Sequence, residues 1–164
     1  AITVMSVIWL LSIPMGIWCA VHQYKWSDQF LSGLSFIGIS LPSFFFAFLL
    51  LYLASITGWL PTGGMTGLSH NEYPLWGRFI DYARHLLIPV VVLASAGTAG
   101  MLRIMRANML DHLHMPYITM ARAKGLSERA VIYKHGLRNA INPMITIFGY
   151  QLSGLLSGAA LVEI

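Results

Sequence analysis

The chain has 164 residues, 57% of them apolar and only 10% charged, with ten Lys and Arg against six Asp and Glu. Soluble globular domains carry roughly 25% charged residues. With a mean hydropathy of +0.68, an ordinary soluble fold, a disordered segment, a coiled coil and a disulfide scaffold are all excluded, because so little charge would leave large apolar patches facing water. An all-α protein embedded in lipid remains.

No formal charge occurs in residues 1–24, 29–71, 85–102 or 139–162. Crossing a hydrocarbon core ~30 Å thick takes about 20 helical residues. Helices are favoured because lipid satisfies no free backbone group, and these runs lack the alternation of a barrel strand. Four spans are predicted, at about 1–21, 33–57, 86–102 and 140–162. Pro14, Pro42 and Pro89 fall within or near span ends, where membrane helices tolerate proline. The first run lacks a basic leader and a clean cleavage site, so it reads as a membrane helix rather than a signal peptide. Both ends read as cuts in a longer membrane protein. The single cysteine, Cys19, has no partner in the chain.

Orientation follows from Lys/Arg bias. Loops 22–32 and 103–139 share a side and together carry eight Lys and Arg, whereas loop 58–85 carries only Arg78 and Arg84. The first and third loops are therefore expected in the cytoplasm and the middle loop outside. Within Pro74–Arg84, Leu75, Trp76, Phe79, Ile80 and Ala83 share a helical face opposite Arg78, Asp81 and Arg84. That pattern predicts an amphipathic helix lying on the membrane; a contact surface for an external partner is the alternative.

The third loop is the most specific segment. Pro116 suits the first position of a helix, and Gly125 suits the left-handed position that ends one. Ser127 is a natural N-cap before Glu128 and Arg129. The segment predicts helix, glycine turn, helix. A loop that only links spans needs far fewer than these 37 residues. Apolar Ile118, Met120, Leu126, Val131 and Ile132 lie among its charges. Solvation beside anionic headgroups, packing on its own protein, and docking into a groove on a soluble partner are all compatible with this pattern.

The run Tyr117-Ile118-Thr119-Met120-Ala121-Arg122-Ala123-Lys124-Gly125-Leu126-Ser127-Glu128-Arg129, followed by His135-Gly136-Leu137-Arg138-Asn139-Ala140, closely resembles the cytoplasmic EAA loop of permease subunits in binding-protein-dependent ABC importers. The variant is similar to that of the dipeptide/oligopeptide/nickel permease family. Ser40-Leu41-Pro42-Ser43-Phe44, Gly58-Trp59-Leu60-Pro61 and Leu102-Arg103 through Asp111 agree with it. The resemblance implies a polytopic helical bundle of the type I ABC importer permease kind, of which this chain holds about four of six spans.

It also implies a single transmembrane domain over 1–164 in the bacterial cytoplasmic (inner) membrane. Loop 103–139 would be the EAA-type coupling loop, with Tyr117, Ala121, Arg122, Ala123, Lys124, Gly125, Leu126, Ser127, Glu128, Arg129 and His135 meeting a cytoplasmic ABC ATPase. In that scheme Gly125 holds the turn, Ala121 permits close approach, and Arg122, Lys124, Glu128 and Arg129 pair with charges at the partner's rim. The implied partners are ATPase subunits, a second and different permease subunit, an extracytoplasmic substrate-binding protein and membrane lipid. ATP and Mg would be used by the ATPase, and this chain would bind no cofactor. Peptides, or a related substrate such as nickel, would be the cargo. Thr119 and Met120 stand where the general motif begins with glutamate, and Arg138 where many importers have proline. An acid-dependent contact of other branches is therefore not carried over.

In the fourth span, Asn142, Thr146, Gly149, Ser153, Ser157 and Ala160 fall in a stripe ~80° wide at helical spacing, and Gly154 and Gly158 form a GxxxG pair beside it. Helix packing explains such residues; a substrate path along the stripe is the sharper reading. No catalytic or metal site is expected. His112 and His114 face different ways on a helix, and neither H-E-x-x-H, G-x-S-x-G nor G-x-x-x-x-G-K-[ST] occurs. Nucleic-acid binding is disfavoured because the positive-inside bias accounts for the basic loop. An ATPase-independent channel or structural membrane subunit is the competing reading.

Overall fold

The computed structural model describes residues 1–67 and 70–162, leaving aside the side chains of 71, 156 and 158–162. Among the described residues there is no strand. In chain order the helices are α1 (Ile2–Val21), α2 (Trp26–Ser40), α3 (Ser43–Thr57), α4 (Leu75–Leu113), α5 (Pro116–Ala123), α6 (Leu137–Ala140) and α7 (Asn142–Val162). A single 3-10 turn, His70–Glu72, precedes α4, and a π-helical stretch, Ala130–Gly136, precedes α6.

Two of these helices, α1 and α4, are each long and apolar enough to cross a membrane. They pack on one another along most of α1. Glycine makes the approach close: a Cβ on Gly16 would stand 2.6 Å from Met105 Cβ and 3.0 Å from the Leu102 carbonyl oxygen. A Cβ on Gly97 would meet Ile8 Cδ1 at 2.5 Å. Small residues at such contacts replace the hydrophobic drive that lipid does not supply. Ile8, Ile17, Ala20, Met101, Met105 and Met109 build the buried centre of this interface.

The stretch expected as one span over 33–57 is two helices. Leu41 and Pro42 separate α2 from α3, which meet at 98°. The cause is local. A residue before proline is pushed out of the helical region, and Leu41 sits at φ −82°, ψ 122°. Each piece has 15 residues, roughly 22 Å of helix, which is short of the ~30 Å core. Ala54 of α3 packs on Ile88 and Val92 of α4, and Gly58 closes α3 in the left-handed region at φ 66°.

The expected span 86–102 is the middle of a 39-residue helix. The amphipathic segment 74–84 is not a separate surface helix, because α4 begins at Leu75 and runs through it without a break. Its polar face is tied down: Asp81 Oδ2 accepts the Gly67 N–H at 2.9 Å and lies 2.7 Å from His70 Nδ1. Leu75, Trp76 and Phe79 on the apolar face remain exposed. At the far end α7 starts at Asn142, two residues later than expected. It docks through buried Met144 and through Trp9 of α1. The Trp9 indole N–H donates to Gln151 Oε1 at 3.1 Å, and its ring meets Phe148 edge-on at 5.3 Å.

Candidate functional site

The segment 116–136 folds into a hairpin at the end of α4. Pro116 opens α5 at its first turn, as its missing N–H allows. The helix ends in a Schellman turn. Gly125 takes φ +75°, its N–H donates to the Arg122 carbonyl at 2.9 Å, and the Leu126 N–H reaches back to the Ala121 carbonyl at 3.4 Å. Ser127 Oγ then accepts the Ala130 N–H at 3.4 Å. The helix, glycine turn and second helix are all present.

The second helix is wider than expected. From Ala130 to Gly136 its hydrogen bonds run i→i+5. A residue five positions on therefore returns to the same side, which brings Gly136 round over buried Val131. A Cβ on Gly136 would stand 3.1 Å from Met109 Cε and 3.4 Å from Leu113 Cδ2. The hairpin thus seats its widened arm on the last turns of α4.

The hairpin also has its own core, Ile118, Ala121 and Val131, with Tyr117 beside it. The Tyr117 hydroxyl lies 2.9 Å from His112 Nδ1. Ala121 is buried inside the hairpin, where its small size serves the packing of one arm on the other. Arg122 and Glu128 pair with each other across the turn, Arg122 Nη2 donating to Glu128 Oε1 at 2.7 Å and Nε to Oε2 at 3.2 Å. The Arg122 guanidinium holds the Glu128 carboxyl below the usual carboxylate range.

Ala123, Lys124, Gly125, Leu126, Ser127 and Arg129 are exposed, and His135 is half-buried. Lys124 and Arg129 have no ion-pair partner among the described residues. Three apolar side chains stand outside the hairpin core: Met120 is 60% exposed, Leu126 42% and Tyr133 58%. Met120 and Tyr133 were not singled out from sequence as site residues; the usable signal was an apolar side chain on the charged face of a helix. The elbow therefore offers exposed apolar side chains and two exposed cations, Lys124 and Arg129, on a frame with its own packed interior.

On α7, Asn142, Thr146, Gly149, Ser153 and Ser157 are exposed on the side opposite Met144 and Gln151. The stripe faces away from this chain's own helices. Gly154 lines a shallow cavity with Val4, Met5 and Ile8 of α1. The side-chain surroundings of Gly158 and Ala160 lie outside the described residues.

The oligopeptide transport system permease protein AppB of Bacillus subtilis (strain 168) is 43% identical over 155 residues, covering 94% of this chain and 48% of AppB. The glutathione transport system permease protein GsiC of Salmonella typhimurium (strain LT2) is 37% identical over 165 residues, with 99% and 49% covered. The di/tripeptide transport system permease protein DppB of Pseudomonas aeruginosa (strain UCBPP-PA14) is 35% identical over 162 residues, with 90% and 48% covered. The chain spans about half the length of these relatives. Residues 12–164 match the family described as binding-protein-dependent transport system inner membrane component. With its apolar helices, this makes the chain part of a multi-pass helical membrane protein that belongs to that family.

Proposed function

We propose that this chain is part of a permease subunit of an ATP-driven ABC importer in a bacterial inner membrane, and that a cytoplasmic ATPase subunit grips the 116–136 hairpin. The observation that carries the reading is the elbow: exposed Met120, Leu126 and Tyr133 on a frame stiffened by Ile118, Ala121 and Val131. A short helix with projecting apolar anchors is what a groove on a soluble partner accepts. Lys124 and Arg129 at the rim would set orientation and partner choice more than affinity. The family supports the same reading.

In this mechanism ATP and Mg are consumed by the ATPase, whose closure displaces the hairpin. The hairpin is seated on Met109 and Leu113, so its displacement moves α4 and the helices packed on it. A second permease subunit faces the exposed stripe of α7, and Asn142, Thr146, Gly149, Ser153 and Ser157 line the path between them. An extracytoplasmic binding protein delivers cargo. The named oligopeptide, glutathione and di/tripeptide systems favour peptides as that cargo.

The test uses the full-length permease in its assembled complex, with cysteine at Met120 or Leu126 and a short thiol cross-linker. The expected result is capture of the ATPase subunit, with a yield that changes between nucleotide-free and ATP-bound states. An actively transporting complex in which neither position ever reaches an ATPase would overturn the reading and favour the ATPase-independent channel.

A further inference from the structure

Asp28 is the one charged side chain buried among the described residues, at 3% exposure, and it lies in the first turn of α2. Four donors converge on it. Arg106 donates from Nε to Oδ1 and from Nη2 to Oδ2, both at 2.7 Å. The Tyr24 backbone N–H reaches Oδ2 at 3.0 Å, and the Ser32 hydroxyl reaches Oδ1 at 3.3 Å. Tyr24 takes a left-handed backbone, φ +64°, to aim that N–H. A non-glycine residue pays for this conformation in strain, so the turn into α2 is shaped around the carboxylate.

A buried ion pair is weak as a source of stability, because desolvation offsets most of the attraction. It is strong as a device for register: a bidentate carboxylate–guanidinium pair accepts one geometry. The position of the pair gives that register a use. Arg106 lies on α4 one turn before Met109, whose methyl group approaches Gly136 of the hairpin. Asp28 opens the helix that leads to the Leu41–Pro42 bend and α3. The hairpin touches α4 by packing, and α4 touches α2 by this fork.

We propose that Asp28 and Arg106 are a positioning pair that carries the motion of the hairpin from α4 into the bent α2–α3 unit. The inference rests on the reading that an ATPase grips the hairpin. Neither residue touches substrate or nucleotide in this scheme; both act through the helices they join.

The experiment reconstitutes the full importer in liposomes and measures peptide moved per ATP hydrolysed, together with hairpin-to-ATPase cross-linking through cysteine at Met120. Asp28→Asn is expected to keep the cross-link and the hydrolysis while transport per ATP falls about tenfold, a typical size for a coupling change. Arg106→Lys, which keeps the charge but loses the fork, should fall in the same direction. Asp28→Glu, which keeps a carboxylate for Arg106, Tyr24 and Ser32 to donate to, should retain part of the ratio. An unchanged ratio in Asp28→Asn would overturn the inference. So would parallel loss of assembly, hydrolysis and transport in Asp28→Asn, Arg106→Lys and Asp28→Glu alike, since that pattern means the pair only holds the fold. Absence of the cross-link in the unsubstituted background would instead strike the reading beneath it.

Discussion

Gly125 offers a perturbation whose size can be worked from backbone alone. It sits at φ +75°, and a Cβ built on it meets nothing within 4 Å. Gly125→Ala therefore adds no clash inside the hairpin, only the cost of holding an L-residue in the left-handed region, about 1–2 kcal/mol. That is a factor of roughly 5–30 in the population of a formed turn. Gly125→Asn should cost less, because asparagine visits this region. The amides to watch are those of Gly125 and Leu126, which close the turn on the Arg122 and Ala121 carbonyls. Hydrogen exchange on the assembled importer should show these two amides opening fastest in the alanine form, with asparagine between alanine and glycine. Gly125→Leu, with the same backbone cost and more bulk at the proposed interface, should lower transport per ATP. Equal exchange in the glycine, asparagine and alanine forms, or normal transport by Gly125→Leu at normal expression, would refute the reasoning.

Two further outcomes are expected. Gly16→Ala on α1 should destabilise the bundle by about 1–3 kcal/mol, seen as a lower melting temperature in detergent, because its Cβ would fall 2.6 Å from Met105 Cβ; Gly100→Ala on α4, where nothing lies within 4 Å, should not. Glu128 has a carboxyl held low by Arg122, so the pair stabilises the hairpin above the ordinary glutamate value of about 4.3 and loses that contribution as pH falls through the lower folded value. Because the pair is exposed, Glu128→Gln should change hairpin exchange by about 0.5 kcal/mol at neutral pH and by nothing in strong acid; a larger effect at neutral pH would mean that Glu128 has another partner.

The charge-free runs identified the apolar helices because lipid imposes length and composition directly on sequence. Gly125, Ser127 and Pro116 announced the hairpin because each acts through its own backbone position. Features that depend on distant residues were not legible. Asp28 and Arg106 are 78 positions apart, and nothing local marks either as buried. Pro42 was visible, but whether a proline only notches a helix or turns it by 98° depends on what packs on either side. The fusion of segment 75–84 with the next span was hidden for a different reason. Its period matches a surface helix, and periodicity says which face is apolar, not where the axis points. The π-helical arm was likewise not legible, and the Met109 and Leu113 side chains beside its Gly136 become neighbours only once the hairpin is seated. Ala121 was legible as small, while the inner surface it packs against, Ile118 and Val131, was not.

The length of α4 has a mechanical consequence. Thirty-nine residues make a rod of roughly 58 Å, nearly twice the thickness of the oily layer. One extremity is fastened to the segment that precedes it through Gly67, His70 and Asp81, and the other bears the elbow. If the rod pivots near its midpoint, a swing of about 5° carries each tip some 2.5 Å in opposite directions, on the same rise per residue. On the coupling proposed above, the two ends of this one helix, which carries Pro89 within it, are joined by continuous backbone, so a carrier docked at one end would need no relay of successive side chains to be felt by an ATPase at the other.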